Sequence, residues 1–314
     1  MQSIIDISDE KHKTLFRGKT KKYERPTTPF ITGTDMLTKT HETRFFGSIP
    51  KIIHQTWKND KLPSQWREYF DGWYTKHPDF LHVLWNDEEN LSLVQQFYPE
   101  FLDHYNWLPL MIQKTDFVRL MYLHRYGGVY ADLDYQCFDN IVSHLPNTKG
   151  VMLVESPLTL SEITQNSFMI AEAGHPFLYD VLKLISEIVQ DVRDKHSVKY
   201  PFTKLYENVF FGRLLHTLST LFMTGPATLD KAFVRAYLKH ESDKAHQVRM
   251  LNHDMFYEGT IAKHHHNGTW FDGYSLLQLF IVVIALVLLG VIVTCILTTF
   301  FSTRASYKKK YKRY

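Results

Sequence analysis

The alternation of apolar and polar residues divides the chain into recognisable elements. Residues 49–57, "IPKIIHQTW", form a short apolar run after a polar opening and read as a buried strand. The segment "PSQWREYFDGWYTKHPDF" repeats its apolar positions at helical spacing and should close at His77-Pro78, since proline disfavours continuing the helix. "LHVLWNDE" reads as a second strand, and "ENLSLVQQFYPEFLDHYNWL" as a helix broken into two pieces at Pro99. Met111 to Tyr126 holds no Pro or Gly and reads as a helix stopped by Gly127 or Gly128. Strands alternating with helices imply an α/β fold with a mostly parallel sheet, whose ligands gather at the carboxyl ends of the strands.

The two ends depart from this pattern. Residues 1–45 are polar with little periodicity and read as a flexible arm carrying a basic cluster at Lys19, Lys21 and Lys22. No charge occurs between Asp272 and Arg304, and the run "LLQLFIVVIALVLLGVIVTCILTTFF", 276–301, exceeds the roughly 20 residues needed to cross a bilayer core. The expected organisation is an arm over 1–45, a folded α/β domain over 46–272, a transmembrane helix over 273–303 and a basic tail over 304–314. The tail "RASYKKKYKRY" argues by the positive-inside rule for a domain on the far side of the membrane. The first 22 residues hold no apolar signal run, and an anchor at the C-terminal side alone argues for a cytosolic domain. Sequons at Asn90 and Asn267 are compatible with the first placement.

Composition narrows the class further. With 314 residues, 44% hydrophobic and 15% aromatic, the chain can bury a sizeable core. A net charge of only +3 gives no reason to expect a nucleic-acid partner. Two cysteines, Cys137 and Cys295, make no disulfide framework and read as unpaired thiols.

The candidate chemistry lies in "DFVRLMYLHRYGGVYADLDY". Asp116 and Arg119 are three apart and share a helix face. In "VYADLD", strand alternation puts Tyr130, Asp132 and Asp134 on one side. Two neighbouring carboxylates repel unless a cation sits between them or one is protonated, and a hard divalent ion holding a diphosphate satisfies both. Gln136 occupies the place where a haloacid-dehalogenase phosphatase has Thr or Val, and Tyr135-Gln136 breaks an EF-hand loop.

Read in order, "IPKIIHQTW", "LWND", "D-x-x-R…Y-G-G-V-Y-x-D-x-D", "TGP" at 224–226 and "HHHNGTW" at 264–270 resemble the D-x-D sugar transferases of glycosyltransferase family 32. The likeness runs from about residue 48 to 272 and is nearest to the inositol phosphorylceramide mannosyltransferases. It implies a GT-A-type nucleotide-sugar-binding domain. Asp134 would be a metal ligand, and Asp132 would touch the metal, ribose or sugar. Asp116 and Arg119 would contact the donor sugar, with Tyr130 nearby. His54, Gln55, Thr56 and Trp57 would line the base pocket, and Thr269 and Trp270 would meet the diphosphate.

One of His264, His265 and His266 would complete the metal site, and the spacing to Trp270 favours His265. An imidazole ligand favours Mn²⁺ over Mg²⁺. Asn166 and His175 are polar candidates beside the acceptor, while Gly225 and Pro226 shape a loop.

The implied activity is retaining hexosyl transfer, with mannose from GDP-mannose the favoured donor and a UDP-sugar the other. The acceptor would be a lipid such as inositol-phosphoceramide, in a single-pass Golgi or ER-type membrane protein with a membrane regulatory subunit as a further partner. A protein or glycan acceptor is the alternative. A non-catalytic membrane subunit and a metal-dependent phosphotransferase are the other classes.

Overall fold

The computed structural model describes residues 22–156, 164–195, 217–240, 248–257 and 259–265. The chain divides into two compact units, residues 1–197 with 221–267, and residues 198–220 with 268–314. Of the second unit only residues 217–220 are described, so the architecture below is that of the first.

Its centre is a seven-stranded sheet. In chain order the strands are β1 (Ile31–Thr32), β2 (Ile52–Thr56), β3 (Leu81–Trp85), β4 (Gly128–Ala131), β5 (Val151–Glu155), β6 (Thr164–Ala171) and β7 (Val248–Leu251). Across the sheet they lie in the order β7-β5-β6-β4-β2-β3-β1. Pairing is parallel everywhere except on the two sides of β6, which runs against β5 and β4. The expected α/β fold with a mostly parallel sheet is met.

The principal helices are α1 (Ser64–Lys76), α2 (Asp87–Phe97), α3 (Met111–Tyr126), α4 (Pro176–Lys195) and α5 (Pro226–His240). Alternate strand residues feed opposite faces. Ile52, Val83, Tyr130, Leu153 and Met169 join the core under α3 and α4, whereas Ile53, Val129, Met152 and Phe168 join a second core with Trp73 of α1. Apolar side chains on both faces explain why the strands read as continuous hydrophobic runs.

The helix over 111–126 ends as expected. Gly127 caps it at φ 67°, and its N–H donates to the Leu123 carbonyl at 2.9 Å. Both glycines are required. Gly128 has φ 101°, and a Cβ on it would stand 2.5 Å from the Ile52 carbonyl oxygen, so β4 can lie beside β2 only without a side chain there.

Two expectations need correction. From residue 22 onward the opening segment belongs to the fold, because β1 pairs with β3 and the Asp71 carboxylate accepts from Thr27 and Thr28. Short local elements replace periodicity there, which is why it read as an arm. The sequon at Asn90 is closed in the folded domain. Its side chain is buried in the first turns of α2, donating to Thr56 at 3.2 Å and accepting from the Tyr122 hydroxyl. Cys137 is a free, buried thiol, as read. Residues 1–21, Cys295, Asn267, the apolar run at 276–301 and the basic tail lie outside the described residues. Among the described residues no helix is long and apolar enough to cross a membrane.

Candidate active site

The carboxylate pair sits where β4 stops. The Asp132 N–H donates to the Ser167 carbonyl at 2.9 Å, the last rung between β4 and β6. The chain then turns, closed by the Tyr135 N–H on the Asp132 carbonyl at 3.1 Å. Leu133 is the anchor of this turn, buried with Leu62, Phe70 and Leu84. Burying Leu133 leaves the residues on either side, Asp132 and Asp134, to face the site.

After the turn, Tyr135–Cys137 pairs antiparallel with Ala262–His264, placing His264 opposite Tyr135. This pairing brings the His264 Nε2 to 3.2 Å from Asp134 Oδ1. One ligand atom from each of Asp132, Asp134 and His264 lies within 4.8 Å of the others. The metal role implied for Asp132 and Asp134 therefore has a geometric basis, and the histidine that the fold brings beside them is His264, where the sequence favoured His265. His265 points away, stacked on Tyr69 at 4.8 Å, with Nε2 3.0 Å from Gln136 Oε1. Spacing to Trp270 could not reveal which of two adjacent residues the strand pairing would turn inward.

The donor set fits a divalent ion. Two ligand atoms about 2.1 Å from one octahedral ion are roughly 3 Å apart, close to the His264–Asp134 separation. Two oxygen donors and one imidazole are a ligand set that divalent metal ions accept. Without a cation two ionised carboxylates with oxygens within 4.8 Å of each other repel by at least about 3.5 kcal/mol at an effective dielectric near 20.

A second polar cluster lies directly behind the first. The Asp116 carboxylate accepts from Asn166 Nδ2 at 2.9 Å, from the Thr224 hydroxyl at 2.9 Å and from Arg119 at 3.2 Å. Arg119 also donates to the Asn166 carbonyl at 2.7 Å, meets Asp132 at 3.4 Å and lies 4.7 Å over the Tyr130 ring. Tyr130 donates its hydroxyl to Asp132 at 2.6 Å, so alternation placed it on the correct side. Burial pushes the Asp116 carboxyl up to about 6, with Arg119 and its hydrogen bonds pulling the other way. Burial also works against the charge on Arg119, but Asp132, Tyr130 and Asp116 outweigh it and raise its proton affinity. Asp132 is raised by burial, against the pull of Arg119. Among the described residues, Asp116 and Asp132 thus share the Arg119 guanidinium, while Asp134 sits beside His264.

The structure separates the residues proposed for the base pocket. Thr56 and Trp57 are partly exposed at the carboxyl end of β2, and Trp57 packs edge-on against Trp66. His54 and Gln55 are wholly buried. His54 accepts from the Trp85 indole at 3.2 Å and donates to the Gly127 carbonyl at 3.0 Å, and burial lowers it to about 4. It is a neutral brace between β2 and the glycine pair, while Gln55 donates to the Asp132 carbonyl at 3.4 Å beneath the turn. His175 is likewise buried, and its Nδ1 accepts from the Phe177 N–H at the start of α4. Asn166 holds Asp116 instead of facing an acceptor. Thr224 was missed as a partner, because no local signal links it to a residue 108 positions earlier. His266, Thr269 and Trp270 lie outside the described residues.

Comparison with known proteins bears on the same segment. Residues 63–151 match the "Glycosyltransferase sugar-binding region containing DXD motif". Inositol phosphoceramide mannosyltransferase 3 of Schizosaccharomyces pombe is 38% identical over 136 residues, 43% of this chain and 37% of that protein. Inositol phosphoceramide mannosyltransferase 1 of the same yeast is 31% identical over 156 residues, 49% of this chain and 46% of that protein. The matched segments thus span less than half the length of either relative. Among solved structures, the ligand-free glycosyltransferase domain of the YGT toxin gives a TM-score of 0.47 at 11% identity, covering 65% of this chain and 80% of that chain. That likeness is too distant to bear on the site. The resemblance to D-x-D sugar transferases read from the sequence is borne out by the first three findings.

Proposed function

We propose that this DXD-type glycosyltransferase uses a divalent ion, Mn²⁺ by its donor set, to transfer a hexose from a nucleotide sugar to a lipid acceptor. The favoured pair is mannose from GDP-mannose and an inositol-phosphoceramide. The observation that carries the reading is the convergence of Asp132, Asp134 and His264, one ligand atom of each within 4.8 Å of the others. The names of the yeast relatives support the choice of sugar and acceptor. The apolar run over 276–301, close after the site in sequence, supports a membrane-borne acceptor.

In this reading a GT-A-type site is assembled at the carboxyl end of the sheet, with the diphosphate held beside Asp132 and Asp134. A divalent ion bound by these residues would supply positive charge to the departing diphosphate. Arg119, fixed by Asp116 and the Asn166 carbonyl, adds its charge from beneath through Asp132. Tyr130 holds the Asp132 carboxylate in one orientation. Thr56 and Trp57 flank the nucleoside at the end of β2.

Asp116 already has three donors on its carboxylate and is not free to attack the sugar. With the retention that the resemblance implies, the acceptor hydroxyl forms the new bond to the anomeric carbon from the side on which the diphosphate leaves. The bond to the diphosphate oxygen breaks, and the hydroxyl proton passes to the leaving group. Positioning and electrostatics carry the rate.

A panel of GDP- and UDP-sugars with Mn²⁺ tests this, reading donor hydrolysis and transfer to lipid acceptors in parallel. Turnover of GDP-mannose with transfer to inositol-phosphoceramide is expected. Donor turnover that survives Asp134→Ala would contradict the metal-diphosphate reading, and transfer to protein or glycan alone would contradict the lipid acceptor.

A further inference from the structure

Two tyrosines that the D-x-D pattern does not include hold the two histidines of the 262–265 segment. The His264 ring lies 4.3 Å from the Tyr135 ring, with the planes inclined by only 5°. Tyr135 is itself wholly buried. Its hydroxyl lies 3.0 Å from Ser167 Oγ, which donates to Gln165 Oε1 at 3.0 Å, so the phenol proton points to Ser167. Its carbonyl accepts from the Trp73 indole at 2.9 Å, and its N–H closes the turn on Asp132. The neighbouring His265 stacks on Tyr69, whose hydroxyl accepts from Gln65 at 2.7 Å.

An imidazole on a strand at the edge of a site turns about two side-chain bonds, and only one plane aims Nε2 at the carboxylates. Packing on a fixed ring removes most of the other planes. Groups that orient a metal ligand without touching the metal are commonly worth 10- to 100-fold in affinity.

We propose that Tyr135 is a positioning residue for His264, its buried ring fixing the imidazole plane so that Nε2 faces Asp134 and Asp132. The Tyr69 stack holds His265 turned away from the cluster and so reinforces the placement of His264 that the strand pairing sets. The proposal rests on the reading of Asp132, Asp134 and His264 as a metal site.

Mn²⁺ binding to the full chain in detergent, followed by the electron paramagnetic resonance of free Mn²⁺ with no donor present, tests it. Tyr135→Leu is expected to weaken binding about 10-fold, and Tyr135→Phe, which keeps the ring, to stay within about twofold of the parent. Parent-like binding by Tyr135→Leu, alongside weakened binding by His264→Ala, would overturn the positioning role alone. Parent-like binding by both His264→Ala and Asp134→Asn would instead remove the metal site.

A second measurement does not depend on the Leu variant folding. In the parent protein, the His264 ring protons, identified by their loss in His264→Ala, should resonate upfield from the stacked Tyr135 ring. Unshifted protons would overturn the proposal.

Discussion

Asp116 and Asp134 are both carboxylates exposed to less than a tenth, at 4% and 6%, yet they sit in opposite surroundings. Around Asp116 an arginine, an amide and a hydroxyl meet the carboxylate from three sides. Around Asp134 the near neighbours are a second carboxylate and an imidazole whose lone pair can serve a metal. Burial alone therefore says little about function. The inner cluster is supplied with the donors a buried charge needs, while the outer one brings two carboxylates and an imidazole close enough together to hold a cation.

The largest expected effect concerns the interior and pH. Burial lowers His54, His77 and His82 each to about 4. As pH falls from about 6.5 to 4 the unfolded chain takes up protons that these histidines refuse in the folded state. Stability is lost, at up to about 3 kcal/mol for each. Asp116, raised to about 6, runs the other way, because its folded form takes a proton before its unfolded form does. It offsets about one histidine. Chemical denaturation across this window should show a steep net loss toward acid, and a flat profile would contradict the neutral, buried histidines.

Arg119→Ala should follow in size. It leaves Asp116 buried without its counter-charge and is expected to cost about 3–5 kcal/mol in the same denaturation assay. Asp134→Asn should do the reverse of what burial would lead one to expect. Stability without metal stays within about 1 kcal/mol of the parent, since a repulsion is relieved, while donor turnover falls about 100- to 1000-fold. If Asp134→Asn were as destabilising as Arg119→Ala, the two clusters would not differ in kind. The smallest effect is stabilisation by the ion itself. Mn²⁺ at about 100 times its dissociation constant should add about 2.7 kcal/mol to the parent and nothing to Asp134→Asn, read as a shift in Tm.

Much of this arrangement was legible before the structure. The helix over 111–126, its glycine stop and the shared side of Tyr130 and Asp132 follow from periodicity and from local rules for glycine and strands. What was not legible depends on contacts between distant segments. The partnership of Asp116 with Thr224 spans 108 positions. That His264 rather than His265 lies beside Asp134 depends on pairing with Tyr135–Cys137, which no property of the histidines themselves encodes. The base-pocket place of His54 came from the family resemblance, which carries no information on what surrounds the residue in this chain. Its two ring nitrogens are used by Trp85 and Gly127, partners on separate elements.

The most direct test of the central claim is the location of the ion. Crystals grown with MnCl₂ and a nucleoside diphosphate, measured at the manganese absorption edge, should show an anomalous peak bounded by Asp132, Asp134 and His264. A peak on His265 or elsewhere, or none within the cluster at saturating Mn²⁺, would contradict the account.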